Sequence, residues 1–326
     1  MAKKRILSGM RPTGKLHIGH YVGALENWIK LQNDYDSFFL IADYHVLTTS
    51  LVSDNIYDNS IEMMIDWLAS GLDPEKSPFF RQSKIKEHTE LFLIFSMLIT
   101  KARLERNPTL KEQVRDLNID NLIYGHLGYP VLQAADILLY RGEAVPVGED
   151  QVPHVEITRE IARKFNIQYG NVLPEPEPLL TQFSRLPGLD GGAKMSKSLN
   201  NTILLSDGPE EVWQKLRKAV TDPQKVRKND PGRPEVCLVF TYHKKFNPGE
   251  VAEIESGCRS GELGCVDCKK KCTAGMNDFL APIIDKRKYY EENKSEVIDI
   301  LHSGEERGKK VAGETMESVR TAMKFG

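Results

Sequence analysis

Two histidines and two lysines, far apart in the chain, are the residues whose spacing points most directly to chemistry. His17-Ile18-Gly19-His20 follows the turn Arg11-Pro12-Thr13-Gly14. A helix beginning there offers unpaired N–H groups and the positive end of its dipole, a combination that favours phosphate. The imidazoles can add hydrogen bonds as negative charge moves onto a leaving pyrophosphate, and Gly19 lets a flat ring lie close to the backbone. Lys194-Met195-Ser196-Lys197-Ser198 follows the glycine-bearing run Leu189-Asp190-Gly191-Gly192-Ala193. Two ammonium groups three residues apart on a mobile loop can close over a triphosphate and neutralise charge mainly in the transition state. Each motif alone also has a bland reading, as surface histidines beside a capped helix or as a solvated Lys/Ser loop. Their occurrence together weakens both bland readings.

A third constellation lies between them. The run Tyr129-Pro-Val-Leu-Gln-Ala-Ala-Asp136-Ile-Leu-Leu139 is apolar but carries one carboxylate. Tyr129, Gln133 and Asp136 share one helix face by their spacing of four and three. A buried carboxylate needs a partner, because burying it unpaired is costly. It can only accept, so it suits a donor-only group such as an indole N–H. The alternative is a structural aspartate bonded to a backbone amide or an arginine. Gly148-Glu149-Asp150-Gln151 ends an apolar stretch and opens a helix, where acidic residues are also ordinary caps.

Five cysteines complete the set. Cys237, Cys258, Cys265, Cys268 and Cys272 are separated by 20, 6, 2 and 3 residues, and none occurs earlier in the chain. Thiolates so grouped can surround one metal centre and suit zinc and iron–sulfur clusters alike. A redox-catalytic pair lacks the strand–helix context that such a pair needs.

The elements that must hold these residues alternate. Strands are expected at Arg5–Ser8, Phe38–Ala42, Pro78–Phe80 and Ala144–Val147, with helices from about Gly19, from Asn55 to Ser70 and from Gln151 to Lys164. Strands alternating with helices argue for a parallel sheet of Rossmann type. Glu87 to about Tyr140 reads as mainly helical, Leu173–Pro178 as a proline-stiffened linker, and Gly304–Lys324 as a closing amphipathic helix. Strand signals nearly vanish after Ser206. The expected architecture is therefore α/β: a Rossmann-type catalytic domain over 1–205 with a helical insertion at about 107–143, then an all-helical domain over 206–326.

Composition excludes several classes. Hydrophobic content of 40% over 326 residues supports a large core, and 44 basic against 46 acidic residues give a net charge of -2, with no long basic arm. No apolar run suits a signal peptide or a membrane span, so the expectation is a cytoplasmic protein with no membrane partner and reduced cysteines.

The first two motifs resemble the HIGH and KMSKS signatures of class I aminoacyl-tRNA synthetases letter for letter and in order, over about residues 5–205. Val145–Gln151 and Ala134–Leu138 are similar to the tryptophanyl branch. The resemblance implies ATP as substrate with Mg²⁺, formation of an aminoacyl-adenylate, and transfer of L-tryptophan to tRNA(Trp). It implies ATP contacts at Arg11, Pro12, Thr13, Gly19, His20, Gly148, Glu149, Asp150, Leu186, Lys194, Met195, Ser196, Lys197 and Ser198, with catalysis by His17, His20, Lys194 and Lys197. Tryptophan would meet Leu7, His45, Tyr129, Gln133, Asp136 and Gln151. The chain departs from many bacterial members, which have Gln at the position of Arg11 and Met at that of Gln133. Some members carry a [4Fe-4S] cluster on a similar cysteine pattern with a first gap of about 22 residues. That implies Cys237, Cys258, Cys265 and Cys268 as ligands, zinc as the alternative metal and Cys272 as spare, with Lys269, Lys270 and Lys271 beside the cluster facing the anticodon. A homodimer with its interface near 107–143 is implied too. The competing readings are a tyrosyl enzyme, a small-molecule adenylyltransferase and a non-catalytic RNA-binding or iron-sensing paralogue.

Overall fold

Five short runs join into one parallel sheet: β1 (Arg5–Met10), β2 (Asp36–Ile41), β3 (Phe79–Arg81), β4 (Ala144–Val147) and β5 (Glu177–Leu180), in the order β3-β2-β1-β4-β5. The computed structural model describes residues 3–116, 119–180, 186–192 and 195–325. β2, β3 and β4 are nearly continuously buried, as strands covered on both faces should be. Gly9 sits where β1 runs tightest against β2: a Cβ there would lie 2.5 Å from the Leu40 carbonyl oxygen. Pro146 lacks an N–H, and β4 pairs with β1 only through Ile6 and Ala144.

The expected linker at Leu173–Pro178 is corrected. Its last two residues enter β5, which pairs in parallel with β4 from Glu177 opposite Ala144 to Leu180 opposite Val147. Pro178 is tolerated because β5 is an edge strand, where a missing ladder donor need not face a neighbour.

Helices cover both faces. The first begins as α1 (Ile18–His20), widens into a π-type turn over Tyr21–Leu25 and continues as α2 (Glu26–Asp34). After β2 come α3 (Tyr44–Leu47) and α4 (Ile56–Ser70), the latter closed by Gly71 at φ 107°. Between β3 and β4 lie α5 (Glu87–Ser96), α6 (Lys101–Glu105), α7 (Pro108–Asp116) and α8 (Tyr124–Leu139), and α9 (Val152–Tyr169) follows β4. The remainder is α10 (Pro209–Leu216), α11 (Leu238–Phe246), α12 (Val251–Ser260), α13 (Cys265–Glu292) and α14 (Lys294–Met323). The closing helix therefore starts ten residues before the expected Gly304, because Asn293 rather than Gly304 breaks the run.

On one face of the sheet Phe39 and Phe79 pack with Trp28 and Trp67, and this core continues into Leu238, Met276 and Leu280. On the other, Phe38, Phe80 and Tyr140 pack with Phe95 and Phe165. α14 lies directly on the edge strand β3. A Cβ on Gly304 would fall 2.0 Å from the Phe79 carbonyl oxygen, so only glycine permits this approach. Beside it, buried Glu305 pairs with Arg81 at 2.6 Å. No helix among the described residues is long and apolar enough to cross a membrane.

Candidate active site

A cavity of about 430 Å³ opens at the C-terminal ends of β1, β2 and β4, where open parallel sheets bind ligands. Its walls include Leu7, Arg11, His45, Tyr129, Gln133, Asp136, Gly148 and Gln151. All six residues expected to meet tryptophan are therefore brought together, from four different elements. A larger groove of about 850 Å³ lies at the opposite strand ends, around Arg5, Asp36 and Glu143. There Arg5 already pairs with Asp36 at 2.8 Å.

Asp136 is buried on α8 and accepts three hydrogen bonds. His45 Nε2 donates to Oδ2 at 2.9 Å; Gln82 Nε2 and His88 Nδ1 donate to Oδ1 at 2.7 Å each. Burial alone would raise its pKa, but the two histidine contacts outweigh burial and hold it down at about 2. The carboxylate has about four lone-pair positions, and three are used. Among the described residues neither an arginine nor a backbone amide partners it; its partners are His45, Gln82 and His88.

Because ionised Asp136 only accepts, His88 Nδ1 donates to it, while His88 Nε2 lies 2.9 Å from the Tyr140 hydroxyl. Burial and the Asp136 charge push the Tyr140 hydroxyl well above its usual value, so it stays a donor. A second chain of bonds runs along the adjacent wall. Burial depresses His154 to about 4, leaving it neutral. It meets the Tyr129 hydroxyl through Nε2 at 2.7 Å and Gln151 Oε1 through Nδ1 at 2.9 Å, and Gln151 Nε2 donates to Asp150 at 3.0 Å. Gln151 and Tyr129 are thus fixed from behind. Asp43 caps α3 and accepts from the Ser83 N–H at 2.9 Å, tying the His45 segment to the turn that carries Gln82.

Gln82, His88, Tyr140 and His154 were missed from sequence. His88 and His154 belong to none of the motifs; the signal was only that a buried imidazole must have partners.

The histidine and lysine motifs meet at the cavity's neighbouring rim. Leu16–Ile18 is bolted to the segment beyond the lysine loop: Ile18 N–H donates to Ile203 O at 2.9 Å and Leu205 N–H to Leu16 O at 2.9 Å. The His17 and His20 rings stack at 3.7 Å. Burial depresses His17 to about 4 and His20 to about 3, with Lys197 lowering both further and His17 also acting on His20. Both are neutral at physiological pH. Gly19 does not face open space. A Cβ there would meet the His17 ring at 2.9 Å and Met195 Sδ at 3.3 Å, so loop and ring cover the place expected for a flat ligand.

Lys197 reaches across to the first turn and donates to the carbonyls of Thr13 and of Lys15, the latter at 3.0 Å. Ser196 N–H is held by Asn201 at 2.7 Å, and its hydroxyl meets Ser198 at 2.8 Å. Leu186 and Met195 are buried in the core, Pro12 is buried beneath the turn, and Arg11 contacts Thr49 at 3.3 Å. Glu149 and Asp150 lie exposed in a short turn opening α9. Lys194 lies outside the described residues.

In the helical region Cys237 precedes α11, Cys258 ends in α12, and Cys265 and Cys268 open α13. The four come close enough to act on one another. Burial pushes Cys268 up to about 12, and Cys237, Cys258 and Cys265 add to that rise. All are free thiols, and among the described residues no group of three or more His, Cys, Asp or Glu is arranged to hold a metal ion. Buried His243 lies 3.4 Å from Cys268 Sγ. Cys272 is fully buried within the core. The expected lysine cluster is largely spent: Lys269 caps α10 through the Arg217 and Ala219 carbonyls at 2.9 and 2.7 Å, and Lys271 pairs with Glu250 at 2.6 Å. Lys270 is left exposed, 3.8 Å from Asp267.

The family described as tRNA synthetases class I (W and Y) matches residues 2–281. The tryptophan–tRNA ligase of Thermotoga maritima is 50% identical, covering 98% of this chain and 98% of its own. That of Aquifex aeolicus is 45% identical over 98% of this chain and 99% of its own. The crystal structure of tryptophanyl-tRNA synthetase from Campylobacter jejuni complexed with ADP and tryptophan superposes with a TM-score of 0.88 at 33% identity, covering 98% and 99% of the two chains.

Proposed function

The chain belongs to the class I tRNA synthetases for tryptophan and tyrosine, and on that premise we propose how its site works as a tryptophan–tRNA ligase. It activates L-tryptophan with ATP and then charges tRNA. The observation that carries the tryptophan assignment is Asp136: a buried carboxylate kept ionised by three donors, with one acceptor position left in the cavity wall. An indole N–H, which can only donate, satisfies that position.

Tyr129 and Gln151 orient the amino acid beside Asp136, with Leu7, His45 and Gln133 closing the pocket. A tryptophan carboxylate oxygen attacks the α-phosphorus; the bond to the bridging oxygen breaks, and pyrophosphate leaves with that electron pair. The nucleophile is already ionised, so the chain's work is positioning and charge stabilisation. His17 and His20, being neutral, act as hydrogen-bond donors. Lys197, with Lys194, supplies positive charge to the departing pyrophosphate, to which Mg²⁺ bound with ATP as substrate would add. Arg11, Pro12, Thr13, Gly19, Leu186, Met195, Ser196 and Ser198 shape the nucleotide side, and Gly148, Glu149 and Asp150 its ribose end. A tRNA 3′ hydroxyl then attacks the activated carbonyl and AMP departs.

Residues 206–326 are read as the anticodon-facing region, following a catalytic region over 1–205. Cys237, Cys258, Cys265 and Cys268 would hold a metal centre there, a [4Fe-4S] cluster first and zinc second. Four cysteines are the donor set such a group takes, although among the described residues their arrangement does not itself form a metal-holding group, and the group would supply structure without a redox step. A homodimer is supported by exposed apolar residues at the expected interface near 107–143, among them Ile123 (53%) and Tyr124 (68%). The place of action is the cytoplasm. Tryptophan-dependent pyrophosphate exchange into ATP, run against all twenty amino acids, tests the assignment. Exchange with tyrosine instead would overturn the reading of Asp136.

A further inference from the structure

Asp66 and Arg287 form a fully buried ion pair that none of the motifs contains. Asp66 lies on α4 and is 0% exposed; Arg287 lies on α13 and is 2% exposed. Asp66 Oδ1 pairs with Arg287 Nη1, while Oδ2 accepts the Leu16 N–H at 2.6 Å. Arg287 Nη2 is held by Glu62 on α4 and by Glu291 at 3.0 Å on its own helix.

Leu16 immediately precedes His17, so its N–H belongs to the turn that carries the histidine motif. That turn, Thr13 to Ile18, is gripped at three places. Ile203 and Leu205 bond the backbone of Ile18 and Leu16, Lys197 holds the Thr13 and Lys15 carbonyls, and Asp66 holds the Leu16 N–H. Two of the three grips come from the lysine loop and the segment after it. Asp66 is the grip that comes from the body of the fold. It is also the acidic group whose field reaches Lys197, opposing the loss of charge that burial of the ammonium imposes.

A buried ion pair is weak evidence for stability, since well-packed neutral residues often serve as well or better. A neutral acceptor would also satisfy one N–H. A charge at this place therefore calls for a reason other than stability, and its two contacts supply one. We propose that Asp66, oriented by Arg287, is a positioning residue for adenylate formation. It sets the seat of the Thr13–His20 turn, on whose Thr13 and Lys15 carbonyls Lys197 rests. The proposal rests on the reading of this turn as the nucleotide site.

The test is the full-length double variant D66N/R287M, which removes both fully buried charges together; Glu62 and Glu291, which also lose Arg287, keep access to solvent. It should melt within a few degrees of the parent. In pyrophosphate exchange, normalised by active-site titration, KM for ATP should rise roughly tenfold, the worth of one charge-assisted hydrogen bond. KM for tryptophan should stay within twofold, because Asp66 does not line that cavity. Arg287→Lys, which keeps the charge, should hold KM for ATP within threefold. An unchanged KM for ATP in the folded double variant overturns the proposal, as does an equal rise in both KM values. Absence of tryptophan-dependent exchange in the parent would instead overturn the functional reading beneath it.

Discussion

Replacing Asp136 by Asn probes the tryptophan pocket with almost no change of volume. The two Oδ1 donors, Gln82 and His88 at 2.7 Å each, will draw the amide oxygen to their side. The new NH₂ then occupies the Oδ2 position, facing His45 and the ligand. A donor stands where the indole N–H requires an acceptor. Losing one hydrogen bond to a charged group costs about 1.5–3 kcal/mol, equivalent to roughly 10- to 150-fold. The expected result is a fall of about a hundredfold in kcat/KM for tryptophan, with KM for ATP changed by less than threefold. The assay is pyrophosphate exchange with tryptophan and with its isostere bearing sulfur in place of the indole nitrogen. The parent should prefer tryptophan by about 10- to 100-fold, because the isostere leaves Asp136 without its donor. In D136N both ligands lack a partner and the preference should collapse toward unity. A folded D136N that keeps the parent's preference would refute the reasoning, since the carboxylate would then not be reading the indole nitrogen.

Other outcomes follow from the same geometry. His17, His20 and His154 sit at about 4, 3 and 4 in the folded protein against about 6.5 when unfolded, so the unfolded state binds more protons between those values. Stability is therefore present above pH 6.5 and lost as the pH falls toward 4, at no more than about 4 kcal/mol per pH unit for three groups; melting temperatures that stay flat from pH 6.5 to 5 would contradict this. Gly304→Ala forces a Cβ against the Phe79 carbonyl and should destabilise by roughly 1–3 kcal/mol, whereas Gly313→Ala, with open space around it, should be neutral or slightly stabilising. Thermal melts of the two variants, compared side by side, check it. Cys265→Ser should lose iron and sulfide, or zinc, on elemental analysis and impair tRNA charging while leaving pyrophosphate exchange largely intact; equal loss of both reactions in a folded variant would refute the assigned role.

Much of the site was legible because spacing and hydrophobic pattern carry it. Tyr129, Gln133 and Asp136 fall on one face of a regular helix, and β1, β2 and β4 are short apolar runs between turn residues. What escaped was whatever depends on contacts distant in sequence. Gln82 reaches Asp136 across 54 positions and His88 across 48, and neither lies in a periodic pattern that marks it. β5 was hidden by Pro178 and the prolines just before it, which suggest a linker unless one knows that the strand is at an edge. Lys269 reads as a surface charge beside two others, yet tertiary packing turns it into a helix cap.

The seating of α14 on β3 bears on how the chain is made. Strand residue Arg81 and its helix partner Glu305 are 224 positions apart, so a ribosome produces the sheet edge long before its cover. During synthesis β3 presents unpaired backbone groups, a template for strand exchange with neighbouring nascent chains. Polysomes translating this message would carry several such edges at once. The edge is therefore uncovered from the emergence of Phe79 to the emergence of Gly304, and a chain that ends in that interval lacks the helix that seats on it.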